Sequence, residues 1–588
     1  MSPSGVDPGR LRLVTGLLAA GFLAAVLGQA RVQIFEREAI LAKARQSSRF
    51  FVEKTLPAKR GTIFSSDGLP LAEDWDAGEL RVNSNQVPLS PAFFVDLSTA
   101  TGIAPSEIQA LVVQRRGTRS PGIVWRKPIG MATVAAVESV RARWRADGVS
   151  VARGGVRHYP LGSLAGGIVG YVREGKGDAG IEQGFEDVLA GRDGFQSGII
   201  DRRGEFLTKG VGERREPRNG QPIVLTVDSQ LQRAAALAVR KAVEENDADS
   251  GVAVVLDPKT GDVLAMANWP SWSPGEPYPE AGGRRSSALV NPAVSSVFEP
   301  GSTFKALTLA LALDAEAITT GTTVYCSGSI LVGKRRISCD HHGGSRAHGV
   351  VTPEVGIAKS CNVAAATWAL RVGYPRYVEF LENLGLLEPP GIGFAKEAKG
   401  YFRRDEPAKQ LQLATLGFGQ SISAVPVSLA AAFAMLGNHG VLVRPRIVRR
   451  IGEREMPVRT AGQVVSPAAA DATLRIMESV FENPHGTAAK LRLQGYLLAG
   501  KTGTAQKVGA KTKGYVSNFV GFVPARDPRA LVLVMVDNPR KAYYGAAVAG
   551  PVFIDIAEAI IQRFGIPPDR PAGPSAARSA QEVHQPAG

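Results

Sequence analysis

Residues Leu13 to Gly28 form an apolar run without a charge or a proline. Arg10 and Arg12 precede it, and Gln29, Ala30 and Arg31 close it. A run of this length sits near the lower limit of about 17 residues for a helix that crosses a bilayer. The chain is therefore expected to pass a membrane and to fold everything after residue 31 on the far side. Two readings stay open: a retained anchor, or a signal peptide cut at the small-x-small site Gly28-Gln29-Ala30. Arg31, Arg37, Lys43 and Arg45 lie just beyond the run, so the positive-inside signal is weak. The short basic N-terminal segment and the large mass behind the run carry the expected orientation.

That constraint decides how the charge is read. Lys+Arg 69 against Asp+Glu 54 gives a net charge of +15, which alone would suggest nucleic acid. An exported chain without a helix-turn-helix, a zinc-finger spacing or a stripe of aromatic and basic residues excludes that partner. Beside anionic lipid the same charge gives weak surface attraction. Over 588 residues, 44% hydrophobic content supports packed domains, while a mean hydropathy of -0.01 excludes a polytopic membrane protein. Three cysteines are too few for a disulfide framework.

The chain changes character along its length. Ile34, Phe35, Ile40 and Leu41 have helical spacing, so residues 31–56 are expected to continue as a helix from the membrane. Ser66-Asp67-Gly68 reads as a turn between Ile63-Phe64 and Leu69. Residues 73–222 are irregular, with many Gly and Arg. From Pro222 the pattern sharpens. Ile223–Val227 reads as a strand, Asp228-Ser229 as a helix cap, and Leu231, Ala235, Ala238, Val239, Ala242 and Val243 as one helix face. Two strands flank the turn 257–262, helices fill 303–314 and 427–437, strands return at 515–523 and 530–536, and a last helix covers about 550–563. This order predicts an α/β (α+β) domain with a mainly antiparallel sheet. The tail after Gly565, rich in Pro, Ala and Ser, is expected to be disordered.

Three short motifs carry chemistry. Ser302-Thr303-Phe304-Lys305 opens a helix, and its Ser and Lys share a face. The helix dipole there favours a developing anion. A desolvated, neutral lysine could take the serine proton. Ser360-Cys361-Asn362 follows 58 positions later, with groups suited to proton relay and to holding an amide. Lys501-Thr502-Gly503-Thr504 comes 199 positions after Ser302. Its Gly lets a backbone approach a ligand, and its Lys and Thr suit a carboxylate. Neither S-x-x-K nor S-x-N occurs anywhere else in the chain. K-T-G also occurs at Lys259-Thr260-Gly261, but there it lies in a hairpin turn ahead of the serine and reads as turn chemistry.

The order S-x-x-K, S-x-N, K-T-G-T is the motif set of the penicillin-binding proteins and their β-lactamase relatives, with Cys361 where Asp is usual. Together with Arg60-Gly61-Thr62-Ile63, Arg157-His158-Tyr159-Pro160 and Gly180-Ile181-Glu182, the chain resembles a class B penicillin-binding protein. Lys501–Gln506 and Gly417-Phe418-Gly419-Gln420 look like the cell-division (FtsI-like) and sporulation-type members. The resemblance favours the anchor over a cleaved signal. It implies residues 1–12 in the cytoplasm, an inner-membrane anchor at 13–30, a pedestal of the dimerisation type with a linker helix at 31–222, a periplasmic or extracellular transpeptidase domain at 223–565, and a tail at 566–588.

The implied activity is peptidoglycan D,D-transpeptidation without a required cofactor. Ser302 is the implied nucleophile and Lys305 its base. Ser360 and Asn362 would relay protons and orient the donor, Lys501 would set the field, and Thr502, Gly503 and Thr504 would hold the terminal carboxylate. Backbone N–H groups of Ser302 and Thr504 would form the oxyanion hole. The implied partners are stem peptides, β-lactams as covalent inhibitors, the membrane, a glycan polymerase of the shape, elongation, division and sporulation family, and other division proteins. An elongation-type or sporulation-type enzyme, a β-lactam sensor and a non-catalytic division scaffold are the alternatives on the same fold.

Cys326, Cys339, His342 and His348 form a separate cluster in sequence. A Cys326–Cys339 disulfide, unbridged thiols, and a structural zinc held by the two Cys with His342 and His348 all remain open, because the spacing fits no strict zinc motif. Cys361 is expected to pack inside the active-site loop, with a third-ligand role also open.

Overall fold

The computed structural model describes residues 8–36, 39, 51–118, 121–173, 175–199, 206, 213–274, 286–339, 347–404, 409–507 and 514–570. The chain divides into two compact units. One holds residues 1–59 and 191–220, and the other holds 60–190 and 221–588.

In the first unit, helix α1 (Pro8–Ala30) carries the apolar run and begins five residues before it. With the turn that follows, it gives 27 residues, Gly9–Phe35, long and apolar enough to cross a membrane, none of them buried. The expected helix does not continue to residue 56. Phe51–Leu56 is a strand, paired antiparallel with Gly194–Ile199, which in turn pairs with Arg214–Arg215. Phe51, Val52 and Thr55 are β-formers, and the partner strand from far along the chain outweighs the weak helical spacing before them. Residues 40–50 lie outside the described residues.

The second unit begins with the expected hairpin. Strands β1 (Ile63–Phe64) and β2 (Pro70–Asn83) are joined by a turn in which Gly68 has φ +85. Strands β3 (Gly122–Gly130) and β4 (Val149–His158) both pair antiparallel with β2. Three helices, Pro91–Thr101, Pro105–Arg115 and Met131–Trp144, bury Phe93, Phe94, Leu97, Ile108, Val112 and Val137 in a small core of their own with Leu80 and Val82.

The three scattered segments Arg60-Gly61, Arg157 and Glu182 meet in one place. The Glu182 carboxylate is fully buried and accepts from Arg60 Nε at 2.6 Å and from Arg157 Nε at 2.7 Å. Arg157 also reaches Asp74 and the Gly61 carbonyl, and Arg60 reaches Glu186. Two guanidinium groups against three carboxylates satisfy a set of charges that would be costly to bury singly.

The larger part of this unit is built on a five-stranded sheet. Helix α2 (Ser229–Glu245) starts where Asp228 accepts from the N–H groups of Gln230 and Leu231, and the six residues of its predicted apolar face are all buried. Strands β5 (Ser250–Leu256) and β6 (Val263–Trp269) form a hairpin whose turn holds Lys259-Thr260-Gly261, with Gly261 at φ +70. Helix α3 (Lys305–Asp314) and helix α4 (Asn362–Val372) follow. Strands β7 (Ala499–Gln506), β8 (Tyr515–Val523) and β9 (Ala530–Asp537) complete the sheet in the order β6-β5-β9-β8-β7, every neighbour antiparallel.

Strands β5 and β9 are buried at nearly every position, so both faces of the sheet are covered. Helix α5 (Gly545–Phe564) packs beside α2 and over β8, with Phe553 stacked on Phe519 at 4.7 Å. It begins five residues before the expected start and accommodates Pro551 in its second turn. Although α5 is apolar enough to span a membrane, over half of it is buried, which makes it a core helix. Beyond it, Asp569 accepts from the Leu497 N–H at 2.8 Å and Arg570 N–H donates to the Gly495 carbonyl. The remainder of the tail, 571–588, lies outside the described residues.

Candidate active site

Ser302 sits in a tight 3-10 turn, Gly301–Phe304, at the head of α3. Gly301 has φ +57, and its N–H donates to the Gly419 carbonyl at 3.0 Å. Gly419 has φ +76, and a Cβ there would stand 2.2 Å from the Gly301 carbonyl oxygen. The two glycines let the 417–420 loop lie against the serine turn. Ser302 is half-buried, while Lys305, one turn on, has no exposed surface.

Ser360 lies in the short loop before α4, in the left-handed region at φ +56 and 4% exposed. A non-glycine residue in this conformation carries backbone strain of roughly 1–2 kcal/mol. Two lysines hold it. Lys305 Nζ donates to the Ser360 carbonyl at 2.6 Å and to its Oγ at 3.0 Å. Lys501 Nζ donates to the same Oγ at 3.0 Å and to the Thr502 carbonyl at 3.0 Å. Lys501 is also fully buried.

Two amines that share one hydroxyl away from water do not both hold a proton cheaply. Burial pushes Lys305 down to about 8, against an opposing pull from the Cys361 and Cys339 thiols. Burial and the nearby Lys305 charge push Lys501 well below the ordinary lysine value.

Asn362, at the start of α4, donates from Nδ2 to the Ser338 carbonyl at 2.9 Å. Strand β7 is an end strand of the sheet among the described residues. Gly503 faces Asn518 across the strands, and a Cβ on it would stand 2.2 Å from the Asn518 Oδ1. Thr502 donates to the hydroxyl of Thr487 at 2.9 Å, and Thr504 Oγ1 accepts from the Gly545 N–H at 3.0 Å. Thr487, in a turn, and Gly545, the first residue of α5, carry no signal in the sequence, because such single residues become neighbours only through the fold.

A cavity of about 790 Å³ is lined by Ser302, Ser360, Asn362, Thr502, Gly503 and Thr504 together with Thr487, Gln506 and Tyr544. A second cavity of about 780 Å³ shares Asn362, Phe418 and Gln420 with it and is lined by Glu299, Arg335, Arg336 and Arg403. Six of the eight motif residues that were assigned roles therefore line one space, and the other two, Lys305 and Lys501, meet at Ser360 behind it, while Lys259-Thr260-Gly261 stays in its hairpin.

The cysteines do not pair as a disulfide. Cys326, Cys339 and Cys361 are all free and buried. Cys326 Sγ lies 3.6 Å from Cys339 Sγ, Cys339 Sγ lies 3.5 Å from Cys361 Sγ, and Cys326 Sγ lies 3.7 Å from His348 Nδ1. Cys361 thus joins the group as its third thiol. His342 lies outside the described residues. A hydrogen bond from the Cys361 thiol lowers the Cys339 thiol below its ordinary value.

Comparison with known proteins agrees in both parts of the chain. Residues 251–558 match the penicillin binding protein transpeptidase domain, and residues 55–225 match the penicillin-binding protein dimerisation domain. The chain is 30% identical to a probable peptidoglycan D,D-transpeptidase PbpC of Pseudomonas aeruginosa, over 87% of this chain and 88% of that one. It is also 30% identical to the probable peptidoglycan D,D-transpeptidase PenA of Neisseria meningitidis, over 91% and 90%. A crystal structure of penicillin binding protein 3 of Mycobacterium tuberculosis, complexed with aztreonam, is similar with a TM-score of 0.65 and 26% identity, covering 88% of this chain and 99% of that one.

Proposed function

The chain belongs to the class B penicillin-binding protein family of serine-type peptidoglycan D,D-transpeptidases, and from that premise we propose how its own residues divide the reaction. Ser302 Oγ attacks the penultimate D-Ala carbonyl of a donor stem peptide. Its proton passes to Lys305, the amine that burial makes available as a base. The oxyanion is held by the backbone N–H groups of Ser302 and Thr504. Ser360 Oγ, bonded to both lysines, returns a proton to the leaving D-Ala amine. An acyl-enzyme on Ser302 remains. The amine of a second stem peptide attacks it, the cross-link forms, and Ser302 recovers its proton.

The observation that carries this reading is the convergence of Lys305 and Lys501 on Ser360 beside the cavity that Ser302 lines. The donor binds as an added strand along the edge of β7 that is unpaired among the described residues, which leaves Thr502 and Thr504 for its terminal carboxylate and Asn362 for its amide. The acceptor enters through the second cavity, where Arg335 and Arg336 suit the carboxylates of a stem peptide. A β-lactam acylates the same serine.

Labelling of the full-length protein by a fluorescent penicillin tests the assignment. Ser302→Ala is expected to abolish the label, and a label that survives would overturn it. Formation of dimeric muropeptides from lipid-linked precursor, with a glycan polymerase present, separates a working transpeptidase from a sensor or scaffold.

The same reading covers the whole chain. Residues 1–12 are cytoplasmic, 13–30 anchor the protein in the inner membrane, 31–222 form the pedestal, and 223–565 form the catalytic domain on the periplasmic side. The apolar helix and the residue ranges of the two family matches support this division. The role is septal, on the strength of Lys501–Gln506, with a polymerase of the shape, elongation, division and sporulation family and other division proteins as partners. Zinc is the metal whose chemistry the cysteine cluster fits, as a structural ion outside the acyl-transfer steps.

A further inference from the structure

Cys326 ends the strand Val324–Cys326, Cys339 follows the strand Arg335–Ser338, His348 precedes the strand Gly349–Val351, and Cys361 caps α4. Their four ligand atoms all lie within 4.8 Å of one another. The closest separations, 3.5, 3.6 and 3.7 Å, are far longer than a disulfide bond of about 2.0 Å. A tetrahedral zinc with Zn–S bonds of about 2.3 Å sets its sulfurs roughly 3.8 Å apart. The four side chains therefore stand close to where a four-coordinate ion would need them.

Their surroundings suit thiolates. The Val363 N–H donates to Cys339 Sγ at 3.3 Å and the Ala364 N–H donates to Cys361 Sγ at 3.4 Å. Both donors belong to the first turn of an eleven-residue helix, whose dipole favours negative charge. N–H bonds to the ligand sulfurs are the outer support that a thiolate site requires. All three thiols are buried, as in closed structural sites.

We infer that Cys326, Cys339, Cys361 and His348 bind one zinc ion, and that the ion positions the S-x-N motif for catalysis. Cys361 stands between Ser360 and Asn362. A bond from its sulfur to an ion that also holds Cys326 and Cys339 ties the motif to two strands outside it. That tie keeps Ser360 in its strained left-handed conformation, and so keeps its Oγ where Lys305 and Lys501 converge. Zinc uptake releases thiol protons and involves no electron transfer. The inference rests on the transpeptidase reading of Ser360, and zinc acts through that residue without touching substrate.

The test uses the full-length protein in detergent. Metal content, the absorption spectrum after cobalt replacement, and the rate of acylation by fluorescent penicillin are measured together. One zinc per chain and thiolate-to-cobalt charge-transfer bands are expected. Removal of zinc by a chelator is expected to slow acylation roughly ten- to a hundredfold, and added zinc to restore it. Cys326→Ala, a ligand remote from the motif, is expected to lose both zinc and rate, while Cys326→His, which keeps a donor, retains part of each.

Absence of stoichiometric zinc together with absence of the cobalt bands overturns the site. Zinc that binds but can be stripped without changing the acylation rate overturns the positioning role. Ser302→Ala keeps its zinc and loses its label if both readings hold. A label persisting there overturns the transpeptidase reading and leaves the metal content to be judged by itself.

Discussion

At the scale of single residues, the centre of the site is the Ser360 hydroxyl, with two buried amines on it. This arrangement makes the reaction depend on pH in a stated direction. In the proposed mechanism Lys305 is neutral when it accepts the Ser302 proton, and burial holds it down to about 8. Below that pH it is increasingly protonated. Acylation of the protein by a penicillin, followed from pH 6 to pH 9, is expected to rise with pH and level off above about 8. A rate that falls over this range would contradict the base assignment. Ser360→Ala removes the proposed relay and leaves both amines without their shared hydroxyl. An acylation rate lower by roughly 10²–10⁴ is expected, at unchanged membrane insertion. At this scale the sequence showed the residue types and their order. It did not show that Cys361 leaves its own loop to join Cys326 and Cys339, because a thiol inside a motif carries no mark of what lies across from it.

At the scale of elements, two close contacts decide geometry. Gly503 belongs to an end strand whose neighbour places Asn518 against it. Gly503→Ala forces a Cβ into a space 2.2 Å from Asn518 Oδ1, so the buried Asn518 side chain is displaced or β7 shifts from β8. A loss of about 1–3 kcal/mol in unfolding free energy, with slower acylation, is expected from denaturation and labelling curves. The second contact is the buried ion cluster. Glu182→Ala leaves Arg60 and Arg157 without their shared carboxylate. Thermal or denaturant unfolding is expected to report a loss of about 3–5 kcal/mol. The segments around Arg60, Arg157 and Glu182 were visible in the sequence as motifs, but their purpose was not, since partners 25 and 122 positions apart meet only after folding. The helix expected through residue 56 failed for the same kind of reason. Phe51–Leu56 is decided by a strand about 140 positions away, outside any local window.

At the scale of the whole molecule, α1 predicts where the protein is found. The full chain is expected in the membrane fraction, and a version lacking residues 1–35 in the soluble fraction with its penicillin label intact. A truncated protein that still sediments with membranes would assign the attachment elsewhere. A tagged full-length copy is expected at the division septum, and a lateral-wall pattern would favour an elongation role.

The sequence by itself determined the apolar N-terminal helix, the class of the catalytic domain and the candidate nucleophile, because these depend on local runs and on three motifs in a fixed order. It also predicted the Asp228 cap, the face of α2 and both hairpin turns, where each residue's conformation follows from its near neighbours. Only the tertiary structure decided that two lysines share one serine, that Thr487 and Gly545 brace Thr502 and Thr504, and that the third thiol of the cysteine cluster comes from the S-x-N motif. Those contacts bring together side chains from helices and strands distant in the chain. Their distances are set by packing the sheet and its covering helices, which no local pattern of residues records.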